Sequence, residues 1–192
     1  MDTRDFLFSY RSYTPVPIAI FLIYNSILYP LYLFIGIGFV LIGESIRVWA
    51  VQYAGGVTRT TKIGAPSLCT SGPYARTRNP LYLGNIIIYI GITFIAAGPY
   101  IYETTILIFL YFIFQYSMII SLEEETLKNL FENNYKIYCE NVPRLFPRLH
   151  PWIGEDRRVP NTIIKTLQTE KRTLQNIFLM ILIIIIKNII NI

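Results

Sequence analysis

LYLGNIIIYIGITFIAAGPYIYETTILIFLYFIFQYSMII, running from Leu81 to Ile120, contains one charged residue, Glu103. A helix that crosses a bilayer needs about 20 mostly apolar residues. Gly98 and Pro99 divide the stretch and leave room only for a tight turn. The expectation is therefore two spans, about Leu81 to Ala97 and about Tyr100 to Ile120, folded back on each other. The whole chain agrees with that start. Its 192 residues are 53% hydrophobic and 15% charged, more apolar surface than a soluble domain of this size can cover. The excess must face lipid. The net charge of +5 is scattered through short segments between apolar runs, which favours an anionic membrane surface over nucleic acid as partner.

Upstream, Val16 to about Val51 is apolar almost throughout, interrupted by Asn25, Pro30 and the Gly36, Gly38 and Gly43 cluster. That length predicts a re-entrant or two-helix hairpin bent near Tyr29 and Pro30. Downstream, Leu174 to Ile190 is a shorter apolar segment that either spans or lies along the interface, with Lys187 snorkelling to the headgroups. Between them, Leu127, Leu130, Phe131, Tyr135, Tyr138 and Val142 recur at helical spacing with charged residues among them. This is the pattern of an amphipathic helix, ended by Pro143. The fold class expected is an all-α integral membrane protein with about five transmembrane helices plus a cytoplasmic amphipathic helix, one domain over residues 1–192. Arg59, Lys62, Arg76 and Arg78 crowd the connection from Ala54 to Asn79, whereas the turn at 98–104 carries only Glu103. The positive-inside rule then places both large polar segments on the cytoplasmic side of a multi-pass protein. The membrane would be the cytoplasmic membrane of a bacterium or the endoplasmic reticulum of a eukaryote.

Several features have plain explanations. Cys69 and Cys139 match no zinc or redox spacing and are expected to be reduced and structural. His150 has no companion ligand, and no metal site is expected. Gly36-Ile-Gly38 lies inside an apolar span rather than after a strand, which is no dinucleotide fingerprint. Glu44 and Arg47, three apart on a helix, should neutralise each other. The N-terminal residues mix acids and bases without a small-residue cleavage site, unlike a secretory signal.

Two polar constellations remain, both at membrane edges and both expected on one side. In SGPYARTRNPLYLGN, Ser71 to Asn85, Gly72 and Pro73 set a turn, Pro80 begins a helix, and Gly84 permits close approach. In LEEETL, Leu122 to Leu127, three consecutive carboxylates emerge from a span. Arg76 and Arg78 would serve equally as topology determinants, Tyr74 and Tyr82 as interfacial anchors, and the three glutamates as the acidic start of a helix.

Gly72, Pro73, Tyr74, Arg78, Asn79, Pro80, Tyr82 and Gly84 together resemble the GPYxxxRHPxYxG motif of the isoprenylcysteine carboxyl methyltransferases, within the superfamily that includes the phospholipid methyltransferases. Asn79 stands where the eukaryotic enzymes carry histidine. Glu123, Glu124, Phe131, Tyr135, Tyr138, Val142, Pro143 and Pro147 resemble that family's second block, and the likeness covers about Glu44 to Arg148. It implies an S-adenosylmethionine-dependent methyltransferase without a Rossmann domain. By the same resemblance the cofactor is held by Leu68, Cys69, Tyr74, Asn79, Pro80, Leu81, Tyr82, Gly84 and Glu123, with Glu124 and Arg78 as catalytic residues.

The chemistry of those residues agrees. S-adenosylmethionine presents an ammonium, a carboxylate and an adenine. Glu123 can accept from the ammonium, backbone amides after Pro80 can hold the carboxylate, and tyrosine and amide side chains can bracket the rest. The acceptor expected is a membrane-embedded amphiphile, lipid or prenylated, with no nucleic acid and no obligate protein partner. Isoprenylcysteine-like O-methylation leads, with phospholipid N-methylation as the alternative, for which Glu124 would be the base. A nicotinamide-dependent membrane reductase and a non-catalytic membrane protein are the readings of another class.

Overall fold

The computed structural model describes residues 2–55 and 64–190. Arg59 and Lys62, two of the bases used above to orient the chain, lie outside the described residues. Among the described residues every regular element is a helix. They are α1 (Thr3–Ser9), α2 (Val16–Tyr24), α3 (Pro30–Ala54), a short 3-10 turn (Gly72–Ala75), α4 (Pro80–Ala96), α5 (Ile101–Asn141) and α6 (Ile163–Ile190). The helices α3, α5 and α6 are long and apolar enough to cross a membrane, and α4 is a shorter apolar helix of 17 residues. The protein is a multi-pass integral membrane protein of all-α class.

The break near Tyr29 and Pro30 is present, but its consequence differs from a pair of full spans. The nine residues of α2 reach only about 13 Å at 1.5 Å per residue, less than half of a hydrocarbon core. Pro30 opens α3 as its first residue, where its missing N–H costs nothing, and α3 then runs unbroken for 25 residues through the glycine cluster. Gly36 and Gly43 do not interrupt it. A Cβ on Gly36 would come within 2.5 Å of the Gly91 carbonyl oxygen, and one on Gly43 within 2.7 Å of that of Gly84. The two pairs repeat every seven residues along antiparallel helices, and they let the α3 and α4 backbones touch as small residues do between membrane helices.

α4 and α5 form the expected hairpin. Ala97 and Tyr100 take the left-handed conformation, while Gly98 is needed for closeness, since a Cβ there would lie 2.7 Å from the Asn25 oxygen. The tyrosine and phenylalanine rings of α4 and α5 then pack together, Tyr89 stacked on Phe112 at 4.2 Å and Tyr82 tilted against Tyr116 at 4.7 Å. The amphipathic helix is not a separate element. It continues α5 directly, with non-helical backbone only at Glu132, and stops at Asn141 before Pro143. Tyr135, Tyr138 and Val142 are buried as the spacing requires, whereas Leu130 is exposed.

α6 begins at Ile163, well before Leu174, and lies antiparallel to α3 over its whole length. Asn161 donates to the Gln52 carbonyl near one end, and the Asn188 side chain accepts from the Leu28 amide near the other. Lys187 does not snorkel. Its ammonium donates to the carbonyls of Tyr24 (3.2 Å) and Ser26 (2.8 Å), which the break after α2 leaves without helical partners. Outward residues such as Leu31, Phe34, Leu107, Phe114 and Phe178 remain exposed, as a lipid-facing surface requires.

Candidate functional site

The two constellations come together. The chain from residue 64 to 79 lies across the end of α5, and the segment after α5 returns over it in extended form. Backbone hydrogen bonds join Arg78 to Pro143, Arg148 to Arg76, and Trp152 to Ala75. Gly72 begins the 3-10 turn at φ 60°, and its lack of a side chain makes room for the Tyr53 ring, which a Cβ would meet at 2.5 Å. The Tyr138 hydroxyl donates to the Tyr74 carbonyl at 2.7 Å and closes the same wall from α5.

Arg78 is the main tie. Its Nε and Nη2 donate to Glu124 Oε1 at 3.1 and 2.8 Å, and its Nη1 donates to the carbonyls of Cys139 and Val142 at 3.1 and 2.7 Å. Burial disfavours its charge, yet the Glu124 carboxylate more than compensates and holds the guanidinium above its ordinary pKa. The other oxygen of Glu124 meets Arg144 at 3.2 Å. Guanidinium groups thus engage both oxygens of Glu124.

Glu123, one residue earlier, points elsewhere. Its Oε1 accepts from the Tyr82 hydroxyl at 2.9 Å, and its side chain lines a cavity of about 870 Å³. Leu68, Cys69, Tyr74, Arg78, Asn79, Pro80, Leu81, Tyr82 and Glu124 line the same space. Gly84 does not. It faces α3, where a Cβ would come within 2.6 Å of Arg47 Cγ, so its smallness is used in helix packing. Asn79 uses its amide to donate to the Arg144 carbonyl at 2.8 Å, and it precedes Pro80 without capping α4 through its side chain. The first residues of α4, Pro80, Leu81 and Tyr82, line the cavity, and the amides of a helix's first turn have no partner within the helix. Burial pushes the Cys69 thiol up to about 11 despite nearby Arg158, and it raises the Tyr74 phenol well above its usual value.

Residues outside the two motifs also shape the site. Arg158 fastens the loop by donating to the carbonyls of Ser67 and Leu68 at 3.0 and 2.9 Å, and Asp156 accepts from the Thr70 amide at 2.9 Å. Both lie in a stretch without periodicity, so no local pattern marks them. Arg11 reaches the cavity from the segment after α1, and Arg47 from α3. The expected Glu44–Arg47 pair is loose at 3.7 Å, while Glu170 of α6 meets Arg47 at 2.5 Å. His150 is exposed.

The chain is 32% identical over 126 residues to the cobalt-zinc-cadmium resistance protein CzcN of Cupriavidus metallidurans, covering 66% of this chain and 54% of that protein. The chain thus spans about half the length of the curated relative it matches. No solved structure matches. Residues 31–134 match the phospholipid methyltransferase family, a region that runs from α3 through α4 and most of α5 and holds both the loop of Arg78 and the glutamates that meet it. The chain belongs to the phospholipid methyltransferase family.

Proposed function

We propose that this protein is an S-adenosylmethionine-dependent methyltransferase acting on a membrane amphiphile, with residues 1–192 as one domain. The observation that carries the proposal is the placing of Glu123, on the wall of a large cavity that the first residues of α4 also line. The residues present fit the cofactor. Glu123 would accept from its ammonium, the amides of Leu81 and Tyr82 would hold its carboxylate, and Leu68, Cys69, Tyr74 and Asn79 would wall its adenosine. When bound, S-adenosylmethionine supplies a methyl carbon activated by its sulfonium.

The chain's own task is then to position and to exclude water. Arg78 and Glu124 act in this proposal as the clamp that holds loop 64–79 on α5, rather than as groups that touch the reacting atoms. Family membership favours a phospholipid amine as acceptor. A carboxylate acceptor, the prenylcysteine type, is the second reading, and the double arginine engagement of Glu124 favours it, because a carboxylate needs no base. The broken segment α1–α2 runs antiparallel to α5, with Arg4 at Glu125 and Thr14 at Gln115. Counted with α3, α4, α5 and α6 it would make five crossings, with the cavity opening to the cytoplasm.

Purified protein should retain S-adenosylhomocysteine and transfer radiolabelled methyl to a lipid extract. Retention of NADPH instead would favour a reductase. Retention of neither would leave a non-catalytic membrane protein.

A further inference from the structure

One polar cluster at the cavity has no part in the proposal above. Arg47 of α3 donates through Nη1 to Asn85 Oδ1 at 2.5 Å, and through Nη2 to Glu170 Oε2 at 2.5 Å and Thr173 Oγ1 at 3.3 Å. Arg47, Asn85 and Glu170 all line the cavity. Glu170 and Thr173 belong to α6, outside the residues that match the family. Arg47 is 9% exposed and Glu170 1%, so the cluster is buried between the helices.

The cluster decides which way the Asn85 amide points. Arginine is a donor only, so the Asn85 atom that meets it must be the carbonyl oxygen. The Asn85 nitrogen then turns away from α3. Asn85 and Tyr116 both line the cavity. With its oxygen held by Arg47, the amide N–H is the polar group that Asn85 can offer to a molecule in the cavity. Asn85 lies three residues beyond Tyr82 on α4, about 4.5 Å farther along the helix from its start. A group bound against Asn85 therefore belongs to the part of the acceptor between its reacting head and its tail.

We infer that Asn85 is a specificity-determining residue that donates a hydrogen bond to a linker oxygen of a phospholipid acceptor, and that Glu170 acts through Arg47 as its positioning residue. A fixed N–H donor selects an oxygen and rejects another donor, because an unpaired pair of donors in a dry site is costly. A phospholipid carries acceptor oxygens at this depth, in its phosphodiester and its glycerol ester. A prenylcysteine carries only a thioether there, a weak acceptor. The inference rests on the methyltransferase reading and narrows its substrate.

The test compares three acceptors with the full chain in detergent micelles: lysophosphatidylethanolamine, its ether-linked analogue, and an N-alkyl ethanolamine with neither phosphate nor ester. Asn85→Asp keeps the shape and the bond to Arg47 but removes the donor. Asn85→Leu removes both. Each should raise KM for lysophosphatidylethanolamine roughly ten-fold or more, the worth of a hydrogen bond to a charged group. KM for the alkyl ethanolamine, kcat, and S-adenosylhomocysteine affinity should stay within about two-fold. Glu170→Gln should shift KM in the same acceptor-selective way, by less.

Selectivity that persists with the ether analogue assigns the phosphate, and selectivity lost with it assigns the ester carbonyl; either supports the inference. An equal rise of KM for all three acceptors overturns it, as do a parallel fall in S-adenosylhomocysteine affinity and transfer to the alkyl ethanolamine alone. If the unmodified chain binds no S-adenosylhomocysteine, the methyltransferase reading itself falls, and this inference with it.

Discussion

Replacing Arg78 by lysine should loosen the clamp between the loop and α5 without touching a ligand contact. The guanidinium makes four hydrogen bonds in two directions, two to Glu124 and two to the carbonyls at the end of α5. A lysine ammonium is one nitrogen and cannot serve both. It would stay with the carboxylate and leave the carbonyls of Cys139 and Val142 without their donor. Hydrogen bonds to charged groups are worth about 1.5–3 kcal/mol each, and some of the loss returns as water reaches the rim, so the net cost should be about 2–4 kcal/mol. Both side chains of the pair are nearly buried, at 12% and 11% exposure, and solvent screening takes little of this away.

Glu124 is not left unpaired, because Arg144 still meets its second oxygen. That is why the expected loss reaches only the lower part of the ~3–5 kcal/mol of an orphaned buried ion. For a chain of this length the change corresponds to a midpoint lower by roughly 5–15 °C. Reversible unfolding in mixed micelles measures it, and a double-mutant cycle with Glu124→Gln should show coupling of about 1 kcal/mol or more. Unchanged stability together with lost S-adenosylhomocysteine affinity would refute the clamp and return Arg78 to the ligand site.

Glu123→Gln should keep the fold and weaken S-adenosylmethionine binding by about 1.5–3 kcal/mol, read by calorimetry, since it removes one charge-assisted bond at the cavity wall. Gly84→Ala should destabilise by about 1–3 kcal/mol, because its Cβ would press on Arg47 Cγ and the Gly43 carbonyl, while ligand affinity at matched temperature should hardly change. Cys69 should resist alkylation at pH 8: with the thiol raised to about 11 from an ordinary 9.0, its thiolate is roughly a hundred-fold scarcer, and labelling should climb as pH rises toward 11. Saturating S-adenosylhomocysteine should slow that labelling further, and an unprotected Cys69 would remove it from the adenosine wall.

The sequence determined the membrane class, the hairpin and the turn at Gly98, because apolar length and turn residues act locally and need no partner to be recognised. It also marked the two polar segments that meet at the cavity, since Gly72, Pro73 and Pro80 impose their backbone wherever they stand, and consecutive glutamates at a membrane edge demand an explanation. The amphipathic pattern of 127–142 was legible for Tyr135 and Tyr138 for the same reason.

The tertiary structure alone decided what those residues do to one another. Glu123 and Glu124 are adjacent and chemically identical in sequence, yet one faces the cavity beside Tyr82 and the other is gripped by Arg78 and Arg144. Helical geometry turns neighbours about 100° apart, but which of them meets the loop depends on where α4 and α5 cross. Gly84 was assigned to a ligand by its place in a motif, and its use in packing became visible only with the backbone of α3 against it. Lys187, Glu170 and Asp156 acquire their partners from segments more than 80 residues away. No periodicity records such meetings, because they are settled by how whole helices pack in the bilayer and not by the local preferences of the chain.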